Sequence, residues 1–240
     1  MIWALHGFLG RGADWDALRA ACASENLPAF HTPDLLGAPP THRSLAAWGD
    51  HFAAWVAQID PTPVLLGYSL GGRLALHAVL ARPALWRGAL IVSTHPGLSD
   101  AAERAARRAD DARWAARFQN DDWDTVLADW DAQAVFGGAA RTLPRPASAY
   151  DRSALASALT DWSLGAQQPL APRLRAIPCP VRWIVGARDA RYVALGRHAV
   201  AELPRGELRV APTVGHRVPW EAPAWFAEQV VEFVRAACSV

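Results

Sequence analysis

Short apolar runs alternate with longer stretches of helical periodicity along most of the chain. The runs Ile2–Leu5, Pro28–Thr32, Pro63–Tyr68, Gly88–Ser93, Val181–Val185 and Glu207–Val210 predict strands, and most are apolar at nearly every position. Continuous rather than alternating apolarity is the mark of parallel strands covered on both faces. Between them, Asp14–Cys22, Leu45–Ile59, Leu70–Ala81, Tyr192–Glu202 and Pro223–Ala236 place apolar residues at helical spacing, with Asp14 and Ser44 in N-cap positions. Strand and helix in alternation predict an α/β fold with a parallel sheet joined by short right-handed crossovers.

One segment breaks this rhythm. Residues 99–178 offer helical Ala/Arg/Asp/Trp patterns joined by loops such as Gly137-Gly138 and Leu143–Pro146, and no strand signal. The expected organisation is a core of residues 1–98 and 179–240 with a helical cap, 99–178, inserted between two sheet strands.

Composition narrows the function classes. The chain has 240 residues, 52% hydrophobic and 20% charged, enough for one or two domains with a large core. Its 24 basic and 23 acidic residues nearly cancel, so no strong field attracts nucleic acid or anionic lipid. Every basic residue is Arg and none is Lys, a bias that a GC-rich genome produces, so arginine abundance alone marks no anion site. Cys22, Cys179 and Cys238 are widely spaced and form no Cys-x-x-Cys pair, which argues against a disulfide framework or zinc ribbon and suits a reducing compartment. Met1-Ile2-Trp3 lacks the basic start of a signal peptide, and the apolar stretch from Pro63 to Ala81 is broken by Gly67, Gly71, Gly72 and Arg73. The expectation is a cytoplasmic protein with a small-molecule ligand and no membrane, nucleic-acid or obligate protein partner. No His-Glu-x-x-His and no Gly-rich phosphate loop followed by Lys is present, so no cofactor or metal is expected.

Gly67-Tyr68-Ser69-Leu70-Gly71 fits Gly-x-Ser-x-Gly in the context that pattern requires, after an apolar strand and before a helix. Small flanking residues permit the sharp turn that lifts the Ser hydroxyl above the sheet. A serine nucleophile needs a base, and the base needs an orienting carboxylate. His216 follows the last strand candidate and Asp189 the preceding one, giving the order Ser69, Asp189, His216 at the carboxyl ends of strands. Asp161 and Glu221 are rival acids but end no strand. His6-Gly7-Phe8-Leu9-Gly10 follows the first strand, where the Phe8 and Leu70 amides can face a developing oxyanion, one such donor being worth ~3 kcal/mol. His6 itself reads as a buried ring bonded to neighbouring backbone.

Together these motifs resemble the α/β-hydrolase superfamily over nearly the whole chain. That superfamily usually carries an antiparallel hairpin before the His-Gly strand, yet five residues precede His6, so the resemblance implies a six-stranded parallel sheet. The usual Pro-Gly-x-Gly turn is altered to Pro33-Asp34-Leu35-Leu36-Gly37.

A finer resemblance lies in His95-Pro96-Gly97-Leu98, Ala101–Arg107, Trp114–Phe118, Ala128-Asp129-Trp130 and the run Gly67–Arg73. These segments resemble the 2-succinyl-6-hydroxy-2,4-cyclohexadiene-1-carboxylate synthase family of menaquinone biosynthesis, and the likeness weakens after Phe136. It implies elimination of pyruvate from 2-succinyl-5-enolpyruvyl-6-hydroxy-3-cyclohexene-1-carboxylate, with Ser69 as proximal base, His216 as relay and Asp189 as orienter. It also implies substrate-binding roles for Tyr68, Arg73, Arg107, Trp130 and Arg152. The chemistry is consistent, since three substrate carboxylates suit planar guanidinium forks. Arg73 lies one turn past Ser69, and Arg107, Trp114 and Phe118 fall within about 20° of one helical face. Arg104, Arg108, Arg113 and Arg117 read instead as a solvated face paired with Asp110 and Asp111. His95 and Arg191 are either near the pocket or merely structural. The rival readings are a serine carboxylesterase or thioesterase for small acidic acyl groups, and a ligand-binding protein that has lost its chemistry.

Overall fold

The computed structural model describes residues 1–37, 42–138 and 143–238. Among the described residues six strands form one sheet: β1 (Ile2–Leu5), β2 (Phe30–His31), β3 (Val64–Tyr68), β4 (Gly88–Val92), β5 (Val181–Gly186) and β6 (Gly206–Ala211). Their order is β2-β1-β3-β4-β5-β6, and every pairing is parallel. All six predicted strands are present. The second is shorter than its apolar run suggests, because Pro28 and Pro33 flank it at the sheet edge and proline has no amide hydrogen for a ladder.

The helices are α1 (Asp16–Ser24), α2 (Leu45–Ile59), α3 (Leu70–Ala81), α4 (Ala101–Asn120), α5 (Trp123–Asp131), α6 (Arg152–Asp161), α7 (Ala190–Glu202), α8 (Val218–Glu221) and α9 (Pro223–Cys238). Alternate strand residues point to opposite faces and build two cores. Trp3, Leu5, Leu65, Ile91 and Trp183 pack beneath α2, α3 and α7. Ile2, Ala4, Leu66, Leu90 and Ile184 pack against α1 and α9. Cys22 and Cys179 are buried and free, and burial pushes both thiols up to about 11. No described helix is long and apolar enough to cross a membrane.

Ser44 caps α2 as expected, its Oγ accepting the Ala47 amide at 3.1 Å. Asp14 does not cap α1. It sits inside a 3-10 turn, Gly12–Trp15, and its carboxylate is taken by the Arg11 amide (3.1 Å) and by both terminal nitrogens of Arg145 (2.8 and 2.6 Å). Between β4 and β5 the described residues hold α4, α5 and α6 and no strand. Asp100, Asp122 and Asp151 cap these three helices in turn, each accepting an amide of the first turn.

The crossover from β3 to α3 is pressed against the end of β1. A Cβ at Gly71 would lie 2.3 Å from the Leu5 carbonyl oxygen and 2.5 Å from that of His6, both backbone atoms that cannot swing aside. Gly71→Ala is expected to lower unfolding free energy by about 2 kcal/mol or more, the cost of overpacking a tight interior, measured by urea denaturation.

The buried histidines around this crossover include His6, His77 of α3 and His95. Burial depresses each ring below its ordinary value, to about 4 for His77 and about 3 for His95, where nearby arginines add to the effect. The folded state therefore keeps these rings neutral where the unfolded chain protonates them. Their contribution is complete above about pH 6.5 and is lost as the pH falls towards 4 and 3, by about 1.4 kcal/mol per pH unit for each proton excluded. Urea unfolding measured across this window should show stability falling with acidification, and His77→Asn should lessen the slope by about one proton; a flat profile would contradict the assignment.

Candidate active site

Ser69 stands at the join of β3 and α3 with φ 52° and ψ −109°, a left-handed backbone that a non-glycine residue adopts at a cost of about 1–3 kcal/mol. Its amide donates to the Val92 carbonyl (2.9 Å) and its carbonyl accepts from Arg73 (3.1 Å), so the turn is held from both sides. Asp189 ends the turn after β5 and caps α7, its Oδ1 accepting the Tyr192 amide at 3.3 Å. Its Oδ2 lies 2.9 Å from His216 Nδ1. A carboxylate can only accept there, so Nδ1 carries the hydrogen and Nε2 is left to accept from the Ser69 hydroxyl, 3.3 Å away.

The loop bearing His216 is fixed by Glu221, one carboxylate accepting from the amides on both sides of the histidine: Gly215 at 2.8 Å and Arg217 at 2.9 Å. This separates the two acids near His216. Asp189 meets the ring and Glu221 meets the backbone. Asp161 ends α6 and makes no hydrogen bond or ion pair with His216 among the described residues.

Phe8 and Leu70 face the same space as Ser69, and among the described residues neither backbone amide donates to a backbone carbonyl. The peptide between Gly7 and Phe8 is held firmly. Leu35 donates its amide to His6 Nε2 at 2.9 Å, so the neutral ring carries its hydrogen on Nδ1 and donates it to the Gly7 carbonyl at 2.8 Å. Gly10 donates to that same oxygen at 2.9 Å.

Above Ser69 is a cavity walled by Phe8, Leu70, Arg73, His95, Tyr192, Trp130 of α5, Arg107 and Asp111 of α4, and Trp162 and Ser163 after α6. Its charge is predominantly positive. Arg73 is 9% exposed, donates to Gln167 Oε1 (3.3 Å), and has no carboxylate within salt-bridge distance among the described residues. Burial, then the nearby charge of Arg107, pulls its guanidinium down to about 10. Arg107 reaches the cavity but also pairs with Asp111 (2.9 Å), whose other oxygen accepts from Ser163 (2.7 Å). The lining thus carries two guanidiniums and one carboxylate, and that carboxylate is bonded to Arg107 alone of the two. His95 lines the same wall as a neutral ring; its Nδ1 accepts the Gly97 amide (3.0 Å), leaving the hydrogen on Nε2.

A second lobe lies beyond Phe8 and Trp130, which line both, and is bounded by Tyr68, Phe136, Arg145, Arg217 and Trp220. Tyr68 belongs to this lobe, its ring edge-on to Trp220 at 4.8 Å and 5.7 Å from His216. Burial pushes its phenol well above the usual range.

Arg152 is not brought to either lobe. Its guanidinium donates to the carbonyls of Phe118 (2.5 Å) and Asp121 at the carboxyl end of α4, where a helix attracts a cation. Arg104 and Arg108 are likewise not simply solvated, since both reach the Gly165 carbonyl (3.4 and 2.7 Å). Arg113 pairs with Asp110 as expected, Arg117 bridges Asp121 and Asp129, and Asp111 turns inward instead of pairing on the surface. Arg191 is exposed. The sequence pattern did not single out Tyr192, whose ring lies 4.6 Å from that of His216, nor Asp111, Ser163 and Gln167. Tyr192 had one usable signal, its position three residues after Asp189 on the first turn of a helix.

With this geometry in view, the likeness to known proteins is specific. The model of the alpha/beta hydrolase family matches residues 4–229. A 2-succinyl-6-hydroxy-2,4-cyclohexadiene-1-carboxylate synthase of Serratia proteamaculans is 36% identical over 98% of this chain and 92% of its own length. The protein of the same name from Pectobacterium atrosepticum is 35% identical over 96% and 92%. Among solved structures, MenH from S. aureus superposes with a TM-score of 0.87 at 21% identity, covering 98% of this chain and 93% of that one, a likeness of fold. The chain belongs to the alpha/beta hydrolase family and, within it, to the family of the 2-succinyl-6-hydroxy-2,4-cyclohexadiene-1-carboxylate synthases.

Proposed function

We propose that this enzyme is a cofactor-free lyase of menaquinone biosynthesis that eliminates pyruvate from 2-succinyl-5-enolpyruvyl-6-hydroxy-3-cyclohexene-1-carboxylate. The observation that carries the reading is Arg73, a buried guanidinium without an acid, opening on the same cavity as the Ser69 hydroxyl. Unpaired buried charge is costly, and a substrate carboxylate there supplies the missing counter-ion. Arg107, with one bond committed to Asp111, has donors left for a second carboxylate, and Trp130 forms an aromatic wall. Arg152 acts as a clasp between α6 and α4 and not as a ligand for substrate.

In this mechanism His216 takes the Ser69 proton, and the Ser69 oxygen removes a carbon-bound proton of the substrate. Asp189 holds the imidazole in the tautomer that accepts and stabilises the imidazolium that forms. The electron pair passes through the ring and breaks the carbon–oxygen bond to enolpyruvate, which takes up a proton as it becomes pyruvate. Negative charge gathers on the succinyl carbonyl oxygen, opposite the Phe8 and Leu70 amides.

Pyruvate release from enzymatically generated substrate should exceed the spontaneous rate and disappear in Ser69→Ala, with the fold retained. Release at the spontaneous rate together with rapid p-nitrophenyl ester cleavage would instead make the chain an esterase. Arg73→Met should lower kcat/KM at least about tenfold, as for a lost charge-assisted hydrogen bond, while leaving thermal stability unchanged or raised. Unaltered kinetics in that variant would remove Arg73 from the substrate site.

A further inference from the structure

The loop after β1 is strained as well as bonded. Leu9 has φ 60°, in the left-handed region, and sits inside the turn that Gly10 closes onto the Gly7 carbonyl at 2.9 Å. The carbonyl of Leu9 belongs to the peptide whose N–H is that of Gly10. It accepts the Tyr150 hydroxyl at 2.8 Å, a contact spanning 141 residues of sequence. The carbonyl of Gly7 in turn belongs to the peptide whose N–H is that of Phe8. A continuous series of donors and acceptors therefore runs from the Tyr150 O–H through the Leu9–Gly10 peptide and the Gly7–Phe8 peptide to the Phe8 N–H.

We propose that Tyr150 is a positioning residue for the oxyanion donor Phe8, acting through these two peptides. The proposal rests on the reading of the Phe8 amide given above. Each peptide that accepts a bond at its oxygen becomes a stronger donor at its nitrogen, by roughly 10–30% per bond. The same contact also restrains the Leu9–Gly10 peptide, whose N–H closes the turn on the carbonyl of the Gly7–Phe8 peptide. Two features keep Tyr150 in place. Its ring stacks on Trp123, with centroids 5.2 Å apart, and the Trp123 indole donates to the Arg145 carbonyl at 2.7 Å. Arg145 then locks the adjacent chain to Asp14 through two hydrogen bonds. Burial raises the Tyr150 phenol, so the hydroxyl remains a donor through the working pH range.

Tyr150→Phe preserves the stack and deletes only the hydroxyl. The probe is phenylboronic acid: Ser69 Oγ adds to boron, its proton passes to His216, and the resulting anionic tetrahedral boronate directs an oxygen at the Phe8 and Leu70 amides. Its inhibition constant reads the oxyanion donors without reference to the natural substrate. Tyr150→Phe is expected to weaken boronate binding about three- to tenfold, as for loss of one neutral hydrogen bond, and to lower kcat for pyruvate release by a similar factor at unchanged KM. Val126→Ala, a fully buried truncation in α5 that touches no member of the series, serves as the structural comparator, with a lowered melting temperature and boronate affinity retained. Wild-type boronate affinity in Tyr150→Phe overturns the proposal, as does an equal loss in Val126→Ala, which would make the effect one of general packing. Boronate binding that survives Ser69→Ala overturns the underlying reading of the site instead.

Discussion

The site depends on one pairing, that of β1 with β3, in which Leu5 stands opposite Gly67. From β1 the chain departs to β2 at one edge, and from β3 to β4 on the other side, so the sheet order reverses between these two neighbours. Loops leaving adjacent parallel strands in opposite directions leave a crevice at their carboxyl ends. The Phe8 loop forms one lip and the Ser69 turn the other. Because α3 begins on the second lip and Gly71 lies against the carbonyls of Leu5 and His6, the separation of the two loops is set by backbone contact and not by adjustable side chains.

Electrostatics then divides the labour among groups that are chemically alike. Asp189, Glu221 and Asp111 are all carboxylates near the cavity, but each is saturated by different partners: an imidazole and a helix amide, two loop amides, and an arginine with a serine hydroxyl. None is left to neutralise Arg73. In a desolvated cavity such a charge acts over a longer range than in water, which favours an anionic ligand and penalises a neutral one.

The parts of this arrangement that were legible in the sequence are those fixed locally. Apolar runs marked the strands, and strand ends marked Ser69, Asp189 and His216. The roles of the arginines were not legible in the same way, because a guanidinium reaches partners that sequence distance conceals. Arg152 occupies a position that family resemblance assigns to substrate, yet Asp151 caps α6 and so sets Arg152 on its first turn, beside the carboxyl end of α4. The acceptors it finds there are 34 and 31 residues away in sequence. Asp14 shows the same limit: a good N-cap residue in a plausible place, it is drawn instead to an arginine 131 residues distant.

These distant contacts are not scattered at random over the molecule. From the segment between β4 and β5, Arg145 and Tyr150 hold the loop of Phe8, whereas Asp131 pairs with Arg217 (2.6 Å) and Phe136 lies under its guanidinium (4.0 Å), next to His216. The turn of Ser69 is held from within the sheet, by Val92 and by its own helix. Of the loops bearing Phe8, His216 and Ser69, the first two are therefore tied to the helical segment and the third to the core. Under the proposed mechanism, a displacement of that segment would shift the Phe8 amide and the His216 ring relative to a Ser69–Leu70 turn that stays where it is. That asymmetry follows from topology, because a single residue joins β3 to α3 and Gly71 just beyond it is packed against the carbonyls of Leu5 and His6.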